Sequence, residues 1–116
     1  MAQIQAFGKS REEYIFNIHL MGSRFNSIPG IYEFIYLSKN TASSLIPMWN
    51  VLYIGETENF RDRVDINLKQ HHKYEYAIRN RATHIALFNF YGTDQQRKWI
   101  ESDLIASYDP PGNKKL

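Results

Sequence analysis

The sequence predicts an α+β domain: a small central antiparallel sheet of three strands, which an N-terminal stretch can extend to four, flanked by helices. Three observations lead there. Runs rich in β-branched and aromatic residues, "IYEFIYLS" (31–38), "NVLYIG" (50–55) and "ATHIALFNF" (82–90), read as core strands. Apolar residues at helical spacing follow the second and third of these runs, and glycine or proline marks the corners between elements.

Taken in order, residues 1–12 read as a flexible arm ahead of a single domain spanning 13–116. "EYIFNIHL" (13–20) alternates as a half-buried strand does, and "GSRFNSIPG" (22–30) is a polar loop turned by Pro29-Gly30. The connection 39–50 is long for a hairpin, and such loops tend to be functional or mobile. Its Leu45, Ile46, Met48 and Trp49 either extend the hairpin, the favoured reading, or present a surface to a partner. After Gly55, Phe60, Val64 and Leu68 recur every four residues, predicting an amphipathic helix over 59–69 capped by Thr57 or Asn59. A second helix is predicted over 73–81 from Tyr74, Ala77, Ile78 and Arg81. Thr93 and Gln96 form a capping-box signature for a last helix that ends near Tyr108, because Pro110-Pro111 cannot continue it.

Composition narrows the function. The 116 residues suffice for one domain with a modest core. No apolar run approaches the roughly 18 residues of a membrane span, and the first residues lack a signal peptide's apolar stretch, so an intracellular, cytoplasmic protein without membrane contact is expected. The absence of cysteine removes disulfide frameworks, thiol nucleophiles and Cys-type zinc sites. Net charge is only +2, but its distribution is uneven. Residues 59–81 carry Arg61, Arg63, Lys69, Lys73, Arg79 and Arg81 against Asp62, Asp65 and Glu75, with His71 and His72 alongside. A basic middle on a nearly neutral chain suits phosphate contacts, and it also suits a solvated helical surface. His19 and His84 read as structural, and nothing in the pattern suggests a zinc cluster.

The last helix holds an anomaly. Ile100, Leu104, Ile105 and Tyr108 form its apolar stripe, and Glu101 projects from the middle of that stripe toward the sheet. Glutamate is seldom buried without compensation. One solution is an ion pair with Arg63 or Arg97; another is a metal ligand or a general acid/base at a cleft edge. Arg63 and Arg61 border opposite edges of the preceding helix's stripe, and periodicity does not choose between them.

With these residues in hand, the sequence resembles the GIY-YIG nuclease family. Gly30-Ile31-Tyr32 and Tyr53-Ile54-Gly55 are both present, each on a predicted strand. Arg63 stands eight residues after the second motif's glycine, Glu101 lies on a later helix, and Asn113 follows a proline-containing turn in "DPPGN". The resemblance covers about residues 29–113. Two departures are the longer connection between Gly30 and Tyr53, and Glu56, where some members carry a lysine.

The resemblance implies hydrolysis of a DNA phosphodiester with one divalent cation, Mg²⁺ or Mn²⁺. Glu101 would hold the cation, Arg63 would bind the scissile phosphate, and Tyr32 and Tyr53 would share the orienting and deprotonation of the attacking water. Asn113 would hydrogen-bond beside the site, and Gly30 and Gly55 would permit close backbone approach. His71 and His72 sit where some members keep a histidine that assists the base, although a pair of surface histidines is the alternative. Arg61, Lys69, Lys73, Arg79 and Arg81 would line the nucleic acid's path. RNA stays open as a substrate, and specificity would come from substrate structure, a homodimer or a partner protein, because no separate reading domain is visible. The competing expectation is a catalytically weak or inactive nucleic-acid-binding or protein-interaction module on the same scaffold.

Overall fold

The computed structural model describes residues 2–38 and 48–114. Five strands, β1 (Gln3–Phe7), β2 (Glu13–Leu20), β3 (Gly30–Ser38), β4 (Met48–Thr57) and β5 (His84–Asn89), form one antiparallel sheet in the order β1-β2-β5-β3-β4. The expected three or four strands become five because residues 3–7 pair with 13–17 as an edge strand and are no flexible arm. Gly8–Glu12 makes the turn between them, with Arg11 at a φ of 74°.

β3 lies between β4 and β5 with residues 30–35 buried, as its two-sided apolar sequence predicts. The sheet's pleat then sorts its residues into two cores. On one side Phe16, Ile31, Ile35, Ile54 and Ala86 meet Ile100 and Leu104 of α2 (Asp94–Tyr108). On the other, Tyr32, Phe34, Ile85 and Leu87 meet Phe60, Val64, Leu68 and Ala77. Burying one such large side chain contributes about 2 kcal/mol, so these helical residues fix their segment against the sheet.

The segment predicted as one helix over 59–69 is two helical pieces, Asp62–Ile66 and Leu68–Gln70. Asn67 donates its N–H back to the Asp62 carbonyl, five residues away, so the first piece is a widened π turn. α1 (Tyr74–Arg79) follows as expected. The Thr93–Gln96 capping box makes both of its hydrogen bonds, and α2 ends at Asp109 in the left-handed conformation. Met48 and Trp49 extend the β3–β4 hairpin; Leu45 and Ile46 lie outside the described residues.

Two acids within this fold have unequal partners. Asp103 on α2 is buried and accepts bonds from the Ser10 N–H and Oγ and from the Tyr14 hydroxyl at 2.8, 2.6 and 2.8 Å, which staples the β1–β2 turn to the helix. Glu33 on β3 is fully buried among apolar groups, and among the described residues neither carboxyl oxygen has a partner.

Burial raises the Glu33 pKa from its ordinary 4.5 to about 8. The folded chain therefore keeps a proton that the unfolded chain has released, and stability falls as pH rises from about 4.5 to 8, by on the order of 5 kcal/mol. The melting-temperature advantage of Glu33→Leu over the native chain is expected to grow between about pH 5 and pH 8. A constant advantage over that range would mean an ordinary carboxyl.

Candidate active site

Tyr32 and Gly55 are cross-strand partners on β3 and β4. A Cβ added to Gly55 would lie 2.4 Å from both Cζ and Oη of Tyr32, so the phenol lies against a position that only glycine leaves open. Gly30 is equally constrained, its virtual Cβ falling 2.1 Å from the Phe88 carbonyl oxygen and 2.6 Å from Phe60. Both motif glycines are thus packing requirements that place the Tyr32 ring and the strand carrying it.

The Tyr32 hydroxyl is buried and surrounded by donors. His71 Nε2 lies 2.6 Å away and Arg63 Nε 3.4 Å away. His71 Nδ1 accepts the Lys73 backbone N–H at 2.9 Å, so a neutral imidazole must carry its proton on Nε2 and donate it to Tyr32. The ring is neutral: burial first, then the charge of Arg63, lowers its pKa from 6.5 to about 3. Burial raises the Tyr32 pKa, with Tyr53 adding to the rise and Arg63 opposing it. His71, which the sequence allowed as part of a surface pair, is instead a core residue at the centre of the site. Only His72 is exposed, stacked on His71 at 4.7 Å between ring centroids.

Tyr53 lies beside this pair, its ring centroid 6.2 Å from that of Tyr32. Its pKa is raised by burial and then by the Glu101 charge, while Arg63 and Tyr32 hold it down. Donation runs from Arg63 and His71 to Tyr32, and Tyr53 is the half-buried phenol beside it.

The choice between arginines is resolved by position. Arg63, on the π turn, sends Nε to Tyr32 and an Nη to His72 Nδ1 at 3.3 Å, while Arg61 is exposed. Lys69, Arg79 and Arg81 are also exposed, and Lys73 places Nζ 5.7 Å from the Tyr76 ring centroid.

Glu101 is half-buried on α2, near enough for its charge to act on both phenols. Its own pKa is raised by burial and by Glu56, and lowered by the Glu56 backbone N–H and Lys98. Among the described residues no ion pair joins Glu101 to Arg63 or Arg97, which overturns the ion-pair alternative. Arg97 is occupied elsewhere. It is buried, bonds Glu56 at 3.1 Å and the Gly92 carbonyl at 3.3 Å, and pairs with Asp94. Glu56, the acid beside Gly55, is thereby paired with Arg97 on α2, a cation it shares with Asp94.

Asn113 touches no reacting group. Its side-chain amide accepts from the Ile54 N–H and donates to the Ile54 carbonyl, both at 2.8 Å, closing the outer edge of β4. It is a positioning residue for the Tyr53-Ile54-Gly55 strand. Sequence reasoning offered Arg97 only as a partner for Glu101 and missed its bond to Glu56, 41 positions away, and it missed Asp103, whose partners Ser10 and Tyr14 lie at the other end of the chain. Arg97 did carry a cue, since it stands one helical turn before Glu101 on the same face.

A cavity of about 590 Å³ adjoins Arg63 and is lined by Glu56, Glu58, Asp62, Asp94, Arg97 and Lys98 among others. Its acids disfavour a phosphate there, so the tyrosine–arginine cluster is the better chemical centre. Among the described residues no three His, Asp or Glu side chains converge as a metal-ligand group. Glu101, half-exposed and without an ion-pair partner among those residues, fits a cation that takes one protein oxygen and fills its other positions with water and phosphate. No family model, curated protein or solved structure matches the chain.

Gly55→Ala should drive a methyl into the Tyr32 ring and destabilise the fold by about 1–3 kcal/mol, read in denaturant melts. An unchanged midpoint would show that the ring moves aside freely. The lowered His71 pKa means that the unfolded chain takes up a proton below about pH 6.5 that the folded chain refuses until about pH 3. Native stability should therefore drop between about pH 6.5 and pH 4, and His71→Gln should remove roughly 3 kcal/mol of that drop. Equal acid slopes in the two proteins would contradict a buried neutral His71.

Proposed function

We propose that this chain is a metal-dependent nuclease of the GIY-YIG type that hydrolyses phosphodiester bonds in DNA. The observation that carries the reading is the meeting of Tyr32, Tyr53 and Arg63 in one cluster, with Arg63 bonded to Tyr32 and the Tyr53 ring beside it, within electrostatic reach of Glu101. Hydrolysis needs a base for the attacking water, donors for the non-bridging oxygens and a cation for the leaving oxygen. The phenols serve as the base. Tyr53, half-buried, is the member that meets solvent, and Tyr32 behind it spreads developing negative charge onto the His71 and Arg63 N–H groups. Arg63 has donors beyond the one directed at Tyr32, and its planar fork suits a phosphate. A cation held by Glu101 would neutralise charge on the departing oxygen. The exposed Arg61, Lys69, Arg79 and Arg81 supply non-specific backbone attraction.

A second reading, a nucleic-acid-binding or protein-interaction module without cleavage, draws on the acidic lining of the cavity beside Arg63. Supercoiled plasmid incubated with Mg²⁺ or Mn²⁺ and followed by gel separates them, because retardation without nicking supports the binder.

Under the nuclease reading, Glu101→Gln should lower nicking by roughly 100-fold or more while leaving the metal-free melting temperature equal or higher, since a desolvated charge is removed. The single-turnover rate should climb from about pH 6 to pH 9, because both phenols titrate above their ordinary value. A flat profile in the chemical step would remove the tyrosines from the base role.

A further inference from the structure

Glu33 follows Tyr32 on β3 and therefore points to the opposite side of the sheet. Its register partners are Ile54 and Ala86, and Ile31 and Ile35 flank it on the same face, so among the described residues neither oxygen has a hydrogen-bond partner. An aliphatic side chain would suit this environment better, and the catalytic cluster makes no use of the acid. Glu33 also lines a cavity of about 390 Å³. That cavity opens where Ile4 and Ala6 of β1 come opposite Trp49 and Val51 of β4, with Tyr108 from the last turn of α2 at its side. The Tyr108 hydroxyl is already engaged, accepting the Phe7 N–H at 3.2 Å, and Trp49 packs edge-on to His84 at 4.9 Å. The cavity therefore offers aromatic and aliphatic walls, the exposed Gln5 at its rim, and a carboxyl whose hydrogen-bonding capacity is unmet among the described residues.

We infer that this cavity is a binding site for a primary organic ammonium group carried on a short apolar stem, with Glu33 as its anionic anchor and Trp49 and Tyr108 as its aromatic walls. An ammonium brings the N–H donors that both Glu33 oxygens lack, and its charge is attracted by aromatic ring faces. A bare divalent metal does not suit the site, because one carboxylate among Ile, Val and Trp side chains cannot supply the oxygen ligands it requires. The Glu33 oxygens lie beneath the cavity surface, so entry requires Ile4 or Trp49, both only half-buried, to turn aside. A free amine and the lysine side chain of a partner share this chemistry. Burial keeps Glu33 protonated near neutral pH, so seating the ammonium expels that proton to solvent and leaves an ammonium–carboxylate pair.

The test is calorimetric titration of the full chain with n-butylammonium near pH 7, in two buffers of different ionisation enthalpy. Saturable binding is expected, with a heat that changes with the buffer because a proton is released. Tetramethylammonium, which lacks N–H donors, and n-butanol, which lacks charge, should bind at least about tenfold more weakly. Glu33→Gln should lose binding by at least about tenfold while its melting temperature stays level or rises. Should that variant fail to fold, Trp49→Ala retains the acid and should weaken binding about five- to tenfold. Nα-acetyl-lysine amide binding as well as butylammonium assigns the site to a protein's lysine; its exclusion assigns the site to a free amine. Binding unchanged in Glu33→Gln, or no saturable binding by the native chain, would reduce Glu33 to a protonated core acid and overturn the site. Neither result depends on nuclease activity.

Discussion

The contact on which the rest of the site depends is the Tyr32 phenol laid against Gly55. Tyr32 sits on the strand buried on both faces, so its backbone is fixed by ladders to β4 and β5. Because its cross-strand neighbour has no side chain, the ring fills that space and its hydroxyl comes to the segments packed over the sheet. Everything else around the hydroxyl is arranged from there. The π turn brings Arg63 down to it, the Leu68–Gln70 turn delivers His71, and the Lys73 N–H sets the imidazole's tautomer. A methyl on Gly55 would disturb all of these through one ring.

Charges of both signs reach the phenols. Two N–H donors face Tyr32, and the cationic one, Arg63, opposes the desolvation that favours the protonated phenol. The anions Glu101 and Glu56 act on Tyr53 in the opposite sense. Glu56 would lie next to any phosphate docked at Gly55 if its carboxylate were free, but buried Arg97 draws it toward α2. What Glu56 presents to Glu101 is then a backbone N–H as well as a charge. Arg97 therefore separates the two functions of this region: an acid turned away from the phenols, and an acid left able to accept a cation.

Local information in the sequence was enough for the strands, the capped last helix and the pairing of motifs with strands. β-branched runs, a capping box and a double proline are decided within a few residues of where they act. Glu101 was legible as a misfit because it stands at helical spacing from Ile100, Leu104 and Ile105 within one fifteen-residue helix. The failures were of a different kind. β1 was missed since "QIQAF" is short and half polar, and becomes a strand only by pairing with β2. The helix over 59–69 has the right apolar spacing yet breaks into two pieces, a change that leaves the i, i+4 pattern of Phe60, Val64 and Leu68 intact. His71 looked like a surface residue beside His72 because nothing within its own segment shows that Tyr32, 39 positions away, waits to bond it. Asn113 was placed beside the site through the motif resemblance alone, since its partner, the main chain of Ile54, lies 59 positions away.

Tyr32 and Glu33 make the sharpest comparison in the molecule, being adjacent acids on one strand under nearly equal burial. Desolvation is the leading influence on both and pushes each toward its neutral form. The difference lies in what faces them. Tyr32 meets two N–H donors, and one of them, Arg63, opposes part of its desolvation. Glu33 meets isoleucine and alanine, and among the described residues nothing offsets its charge. The pleat alone, by sending successive side chains to opposite faces, has thus given one strand a polar face completed from within and another whose single polar group is left incomplete. The N-terminal strands matter to this outcome: β1 and β2 carry the Glu33 face on into an enclosed core, where a three-stranded sheet would have left that face to α2 alone.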